Sequence, residues 1–256
     1  MPSRCQAFKV SSREFDVKAG LEGDSVVAEY SLASGNIFTV RYTLLEGGIL
    51  SVKSDFKGVK SSKPVDVPRI GFRMRLPASA DSFTYLGRGP EENYADRFGG
   101  TLIGEYSSSA SKEYVRYVRP QECGHHIDCE YLSIGGLAIR SDRFEFNALR
   151  CAVEDLDSEE VVQRDYQWEN KGPLTENDPA KAKNRLRRQT HINDYVERDF
   201  VEVCVDYAQS GVGGYDSWAA RPDGDRCLWS DRDYSFRFAI VPARAMGVRK
   251  SLGFDF

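Results

Sequence analysis

Residues 68–77 read PRIGFRMRLP, and the order of their side chains decides which regular structure they adopt. Ile70, Phe72, Met74 and Leu76 occupy every second position, and Arg69, Arg73 and Arg75 lie between them. Successive side chains of an extended chain point to opposite faces, so this run reads as a strand with one buried and one wet face. The same period of two recurs on either side. DSVVAEYSL (24–32) and NIFTVRYTLLEGGILSVKSDF (36–56) precede it, the latter folded at Gly47-Gly48 into a hairpin. SFTYL (82–86), HHIDCEYLSI (125–134), LAIR (137–140), RFEFNAL (143–149), FVEVCVDYA (200–208) and YSFRFAIVP (234–242) follow it. Turn residues separate these runs at short intervals, and strand–helix alternation is absent. The expected fold is all-β: two packed antiparallel sheets in one domain spanning residues 1–256.

One stretch departs from the pattern. From Asp157 to Gln189 the sequence is polar, charged and irregular, and it reads as a surface insertion at about 157–190. A short helix is expected within it near Pro179–Arg188, with Asp178 as its cap and Pro179 in its first turn. Its basic cluster KAKNRLRR reads as a solvated helix face, because the whole chain carries a net charge of -4 and has no electrostatic footprint for nucleic acid.

The 256 residues are 41% hydrophobic, 12% aromatic and 29% charged, a composition that supports a sizeable core. No run approaches the roughly 18–20 apolar residues of a membrane span. The start, MPSRCQAFKV, lacks the apolar centre of a signal peptide, so a cytoplasmic location is expected, with the periplasm as the alternative. The six cysteines, Cys5, Cys123, Cys129, Cys151, Cys204 and Cys227, are sparse and several lie in strand-like runs. They read as buried free thiols.

Chemistry-bearing groups are few. Glu91 and Glu92 in GRGPEENYADR (87–97) are adjacent carboxylates, but a retaining glycosidase needs two carboxyl groups about 5–5.5 Å apart across a sugar. Neighbours in a loop rarely face each other so, and the loop reads as a scaffold in which Glu92, Asn93, Asp96 and Arg97 close local hydrogen bonds. ECGHHIDCE (122–130) offers Cys123, His125, His126, Asp128 and Cys129, without the paired short spacings of a structural zinc site. Alternation along a strand disperses these ligands, so no metal site is expected, and the strand start is read as carrying one or two exposed imidazoles. No G-x-S-x-G elbow is present, and GRGP is no phosphate cradle.

Residues 211–222, GVGGYDSWAARP, set Trp218 on a glycine-rich run. Two readings are open for the ring: a plug folded back into the core, or a flat apolar platform held out for a sugar.

Taken together and in order, YLGRGPEENYADR (85–97), YVRPQECG (117–124), RFEFNAL (143–149) and GVGGYDSWAARP (211–222) resemble the C-terminal domain of family 2 β-galactosidases. The resemblance implies a large sandwich of the galactose-mutarotase-like type, in agreement with the period-two reading. It implies that the catalytic glutamates lie on a separate upstream barrel, so that this portion has no catalytic residue of its own. A segment resembling R-A-P-x-D-N-D, which relatives carry before the region matched by Lys9–Tyr30, is missing here, which points to missing N-terminal strands and an association-prone edge. Trp218 falls where the family places a tryptophan that stacks on the sugar, with Asp216 and Ser217 fixing its turn. Tyr215 departs from the Asp or Asn of many relatives, and Trp168 and Trp229 are read as packing residues. The implied partners are a β-galactoside, the barrel and other domains of the parent enzyme, and further copies in a homo-oligomer. The implied cofactors, Mg and Na, belong to the other domains, with none in this portion. Two alternatives remain: a non-catalytic carbohydrate-binding module, and an aldose 1-epimerase-like enzyme using His125, His126 or His191 with Glu122 as its acid and base.

Overall fold

A computed structural model describes residues 15–32, 34–118, 122–156, 195–213 and 221–243. The insertion at 157–190, with its expected helix, His191, Trp168 and Cys5 lie outside the described residues, as do Tyr215, Asp216, Ser217 and Trp218.

The described residues form strands β1 (Phe15–Glu22), β2 (Ser25–Leu32), β3 (Ile37–Leu45), β4 (Ile49–Lys57), β5 (Asp66–Val67), β6 (Arg69–Pro77), β7 (Ser82–Gly89) and β8 (Leu102–Ser109). They continue with β9 (His125–Ile134), β10 (Leu137–Leu149), β11 (Phe200–Gln209), β12 (Leu228–Trp229) and β13 (Tyr234–Pro242). Eleven of these make one sheet in the order β1-β2-β3-β4-β13-β10-β9-β7-β8, with β11 and then β6 branching from β10; β5 and β12 form a small separate pair. Every pairing is antiparallel. The fold is all-β, consistent with a sandwich.

The branch at β10 is what folds one sheet into two layers. Leu137–Arg140 pairs with β13, whereas Glu145–Leu149 pairs with β11. Between them the register against β9 jumps from Arg140↔Tyr131 to Phe144↔Cys129, so β10 carries extra residues at this point. Such a bulge bends and twists a strand. LAIR and RFEFNAL are therefore one thirteen-residue strand rather than two. The hairpin between β3 and β4 turns at Gly47 (φ 75°) and Gly48 (φ 78°), a left-handed conformation that glycine adopts without steric cost. β1 and β8 lie at the two ends of the main path.

The core lies between the layers. Val40, Val52, Phe83, Leu132, Ile134, Phe144, Phe146, Val201, Val203, Val205 and Phe238 are buried there, with Phe72, Met74 and Leu76 of β6 packed against them. Phe72 bridges the layers, its ring 5.2 Å from Phe238 and 6.0 Å from Phe38. The two faces expected of residues 69–77 are present, but the charged face is not uniformly wet. Arg75 is half exposed, whereas the Arg69 side chain is 6% exposed, because β6 lies beside β11 and its polar side there is roofed by further residues. Cys123, Cys129, Cys151, Cys204 and Cys227 are buried and unbridged.

Candidate functional site

Three loops meet at one end of the sheet: the turn after β7, the approach to β9, and the exit from β11. In the first, Asn93 is fully buried. Its Nδ2 donates to the carbonyls of Arg88 and Glu91, both at 2.9 Å, and its Oδ1 accepts the Ile127 amide at 2.8 Å. The Asn93 amide donates to the His125 carbonyl at 2.7 Å, so this one residue fastens the loop to β9. Glu92 Oε2 accepts the Gly124 amide at 2.8 Å and the Tyr94 hydroxyl at 3.1 Å, while Oε1 accepts from Arg97 Nη2 and the Tyr117 hydroxyl. A carboxylate with four donors on it is occupied and has no face left for a substrate. Tyr94 is stacked on His125 at 5.4 Å, and burial together with the Glu92 charge holds its hydroxyl well above the usual phenol range.

Asp96 does something different. Its Oδ1 accepts the Val212 amide at 3.1 Å and its Oδ2 the Gly213 amide at 2.9 Å, across 116 and 117 residues of chain. Two consecutive amides on one carboxylate form an anion nest. The approach demands glycine at 211, where a Cβ would stand 2.6 Å from the Asp96 carboxylate. The Gly211 amide donates to the Arg226 carbonyl at 2.7 Å, and the Arg226 guanidinium lies over the Phe98 ring at 5.8 Å. Val212, Gly213 and Arg226 thus all contact the loop that carries Asp96 and Phe98.

Under this junction lies a buried polar cluster. Arg69 Nη2 donates to Gln209 Oε1 at 2.6 Å and Asn147 Oδ1 at 3.1 Å, and reaches His125 Nδ1 at 3.3 Å. Its Nε lies 3.1 Å from Asp206 Oδ2, an ion pair too oblique to count as a hydrogen bond. Nε2 of His125 lies 3.0 Å from Glu145 Oε2. Glu145 also accepts the Gln209 amide at 2.8 Å, and Gln209 Nε2 donates to Glu122. Burial pushes the Glu145 carboxyl up to about 8 and that of Asp206 up to about 7. Arg69, with Arg143 acting on Glu145 and Arg73 on Asp206, offsets only part of that burial, so a proton stays in the cluster near neutral pH. Burial, aided by Arg69, holds His125 well below its usual range, in the neutral form.

The imidazoles correct an expectation. His125 and His126 are buried, at 1% and 0% exposure, rather than exposed at a strand start. Strict alternation fails because β9 advances three residues, His126 to Cys129, while β10 advances two, and Asp128 takes a positive φ of 57° at the bulge. His126 Nε2 pairs with Glu113 Oε2 at 2.9 Å and its Nδ1 lies 3.1 Å from the Tyr85 hydroxyl. Asp128 pairs with Arg88 and Arg143, and Cys129 is in the core. The ligand types of 122–130 therefore point to different partners, and among the described residues no group of three His, Cys, Asp or Glu converges on a point that would hold a metal ion.

On the far side of the 90–97 loop a cavity of about 220 Å³ opens between Tyr85, Pro90, Tyr106 and Lys112. Its innermost carboxylate, Glu113, is taken up by His126 and Ser108. Arg69, Glu145, Asn147, Asp206 and Gln209 were not singled out from the sequence. The available signal was the polar residues alternating with Phe in RFEFNAL and with Val in FVEVCVDYA, which fixes their face without revealing that the face is covered.

The sequence matches the β-galactosidase small chain family over residues 3–240. It is 29% identical over 251 residues to the β-galactosidase of Priestia megaterium, covering 93% of this chain and 21% of that protein. It is 28% identical to the β-galactosidase of Streptococcus thermophilus, covering 94% of this chain and 22% of the relative. To that of Pseudoalteromonas haloplanktis it is 30% identical over 201 residues, or 78% of this chain and 16% of the relative. The chain thus spans about a fifth of the length of these relatives. With an all-β fold and this match over nearly the whole chain, it belongs to the β-galactosidase small chain family.

Proposed function

We propose that this chain is the C-terminal sandwich domain of a β-galactosidase, where it completes the substrate pocket by presenting Trp218 to the sugar and leaves bond cleavage to glutamates on the barrel. The observation that carries this reading is the extent of the family match, which covers nearly the whole chain yet only about a fifth of each hydrolase it resembles. The carboxylates of the junction support it: Glu92, Glu113 and Glu145 are each engaged by several protein groups, so none of these three is free for acid–base work on a glycoside. Trp218 suits the role, because a pyranose presents a face of C–H groups that an aromatic plane covers while tolerating in-plane rotation. Asp216 and Ser217 fix its turn. The barrel, the other domains and further copies of the chain are its partners in a cytoplasmic oligomer, and any Mg or Na ion is held elsewhere in that assembly. The buried, fully engaged His125 and His126 weigh against an epimerase that uses either of them, since its acid and base must reach the anomeric centre.

The test is turnover of a nitrophenyl β-galactoside by the isolated chain. No turnover is expected. Clear hydrolysis that survives Trp218→Ala would overturn the reading.

A further inference from the structure

We propose that the cavity on the far side of the 90–97 loop is a sugar site of the sandwich itself, which takes one pyranose ring against Tyr106, between Glu91, Glu113 and Lys112. Its lining consists of described residues, and the proposal does not rest on the reading of Trp218. Two of the lining residues, Tyr85 and Glu113, are joined behind the wall through His126. The Tyr85 hydroxyl lies 3.1 Å from His126 Nδ1, and His126 Nε2 lies 2.9 Å from Glu113 Oε2. Ser108 donates to the other oxygen of Glu113. Tyr85, His126 and Glu113 are all buried, so this floor is held in place before any ligand arrives. Glu113 nevertheless keeps acceptor capacity. Each of its oxygens takes one donor from these partners, whereas a carboxylate has about four lone-pair sites. A ring hydroxyl that reaches it meets a fixed acceptor.

Tyr106 supplies the flat side. It is half-buried, its hydroxyl donates to the Leu102 carbonyl at 3.0 Å, and its ring lies 5.5 Å from that of Tyr85. Glycine at 89 makes the room, because a Cβ there would stand 2.8 Å from the Tyr106 ring. An aromatic plane covers the C–H face of a pyranose and tolerates rotation within the plane. At the rim, Lys112 and Glu91 are exposed and opposite in charge, and no ion pair or side-chain hydrogen bond engages either one among the described residues. These charges select the class of ligand. A simple anion meets the carboxylates of Glu91, Glu92 and Glu113, and a simple cation meets the Lys112 ammonium. A neutral ligand that both donates and accepts hydrogen bonds satisfies the two kinds of wall together. The volume of about 220 Å³ lies below the roughly 300–1,000 Å³ of sites for drug-sized ligands, which suits a single sugar ring.

The test is titration of the isotope-labelled 256-residue chain with D-galactose, followed at the backbone amides by NMR. Saturable shifts are expected at Tyr106, Ser108 and Lys112, while the amides of β1 to β4 stay where they are. Lys112→Ala and Glu91→Ala should each weaken binding about fivefold, the worth of one hydrogen bond. Both side chains are exposed, so these variants should fold as the parent does. Tyr106→Leu, which keeps bulk but loses the flat ring, should weaken binding further. D-Mannitol, which carries hydroxyls without a ring, and inorganic phosphate should leave the cavity amides unmoved. If galactose gives no saturable shift at the cavity, or shifts only amides elsewhere in the chain, the proposal fails. It fails equally if mannitol or phosphate matches galactose, because the cavity would then be a general polar pocket. Unchanged affinity in the two rim variants also overturns it, since Lys112 and Glu91 would then touch no ligand.

Discussion

On one face of β11, Val201, Val203 and Val205 press into an aromatic core; on the other, Glu202, Cys204 and Asp206 are buried as deeply among charges. The two faces reach equal dryness by different physics. The apolar face is held by area and fit, which many side chains of similar volume supply. The polar face is held partner by partner, and every group left without its partner retains the full penalty of having been taken from water. One strand thus separates a tolerant layer from an intolerant one.

The largest effect that would break this contrast comes from removing the buried cation Arg69. Arg69→Met keeps length but leaves Asp206 without its ion-pair partner and Asn147 and Gln209 without their donor, and a loss of about 3–5 kcal/mol is expected from urea unfolding. Met74→Leu, facing the other way, should cost less than about 1.5 kcal/mol. Equal losses from the two changes would erase the distinction.

Acidity sharpens it next. The folded-state values of about 8 for Glu145 and about 7 for Asp206 lie above those of an ordinary carboxyl, so between pH 4 and 8, roughly, the folded chain binds more protons than the unfolded one. Stability therefore falls as pH rises through that window. His125, held below its usual range, acts in the opposite sense, but only below its unfolded value of about 6.5. From pH 6.5 to 8 the carboxyl groups dominate, and Glu145 contributes a decline on the order of 2 kcal/mol. Urea midpoints across this range should drop for the parent sequence and drop less for Glu145→Gln. A flat profile would mean that the cluster holds no proton.

The smallest effect is chemical. Burial pushes the Cys123 and Cys204 thiols up to about 12, so neither is a thiolate near neutral pH. At pH 8 a disulfide reagent should label none of the five described cysteines until the chain unfolds.

Period two made the strands legible because an antiparallel sheet with one apolar face imposes it, and Ile70 to Leu76 shows this in four residues. It did not reveal that β10 is continuous, because the bulge between Arg140 and Phe144 interrupts the alternation that joins its halves. Nor did it find β8, whose LIGEYSSS has exposed Leu102 and Ile103 in succession and serines after them. At the junction, the turn residues of GRGPEENYADR were visible as a scaffold, and Asn93 and Glu92 do bond largely within reach of their own loop and β9. The partners of Asp96 were not visible, since they come from register and layer packing across 116 residues rather than from local spacing. The burial of Arg69 escaped for the same reason: alternation gives a side chain its face, and only the assembled layers decide whether that face meets water.

Strand β10 has one further consequence. Because its first half is laced to β13 and its second half to β11, the two layers share a strand among the described residues. Peeling either layer away means unzipping a strand the other also owns, and β9, paired with both halves of β10, ties them a second time.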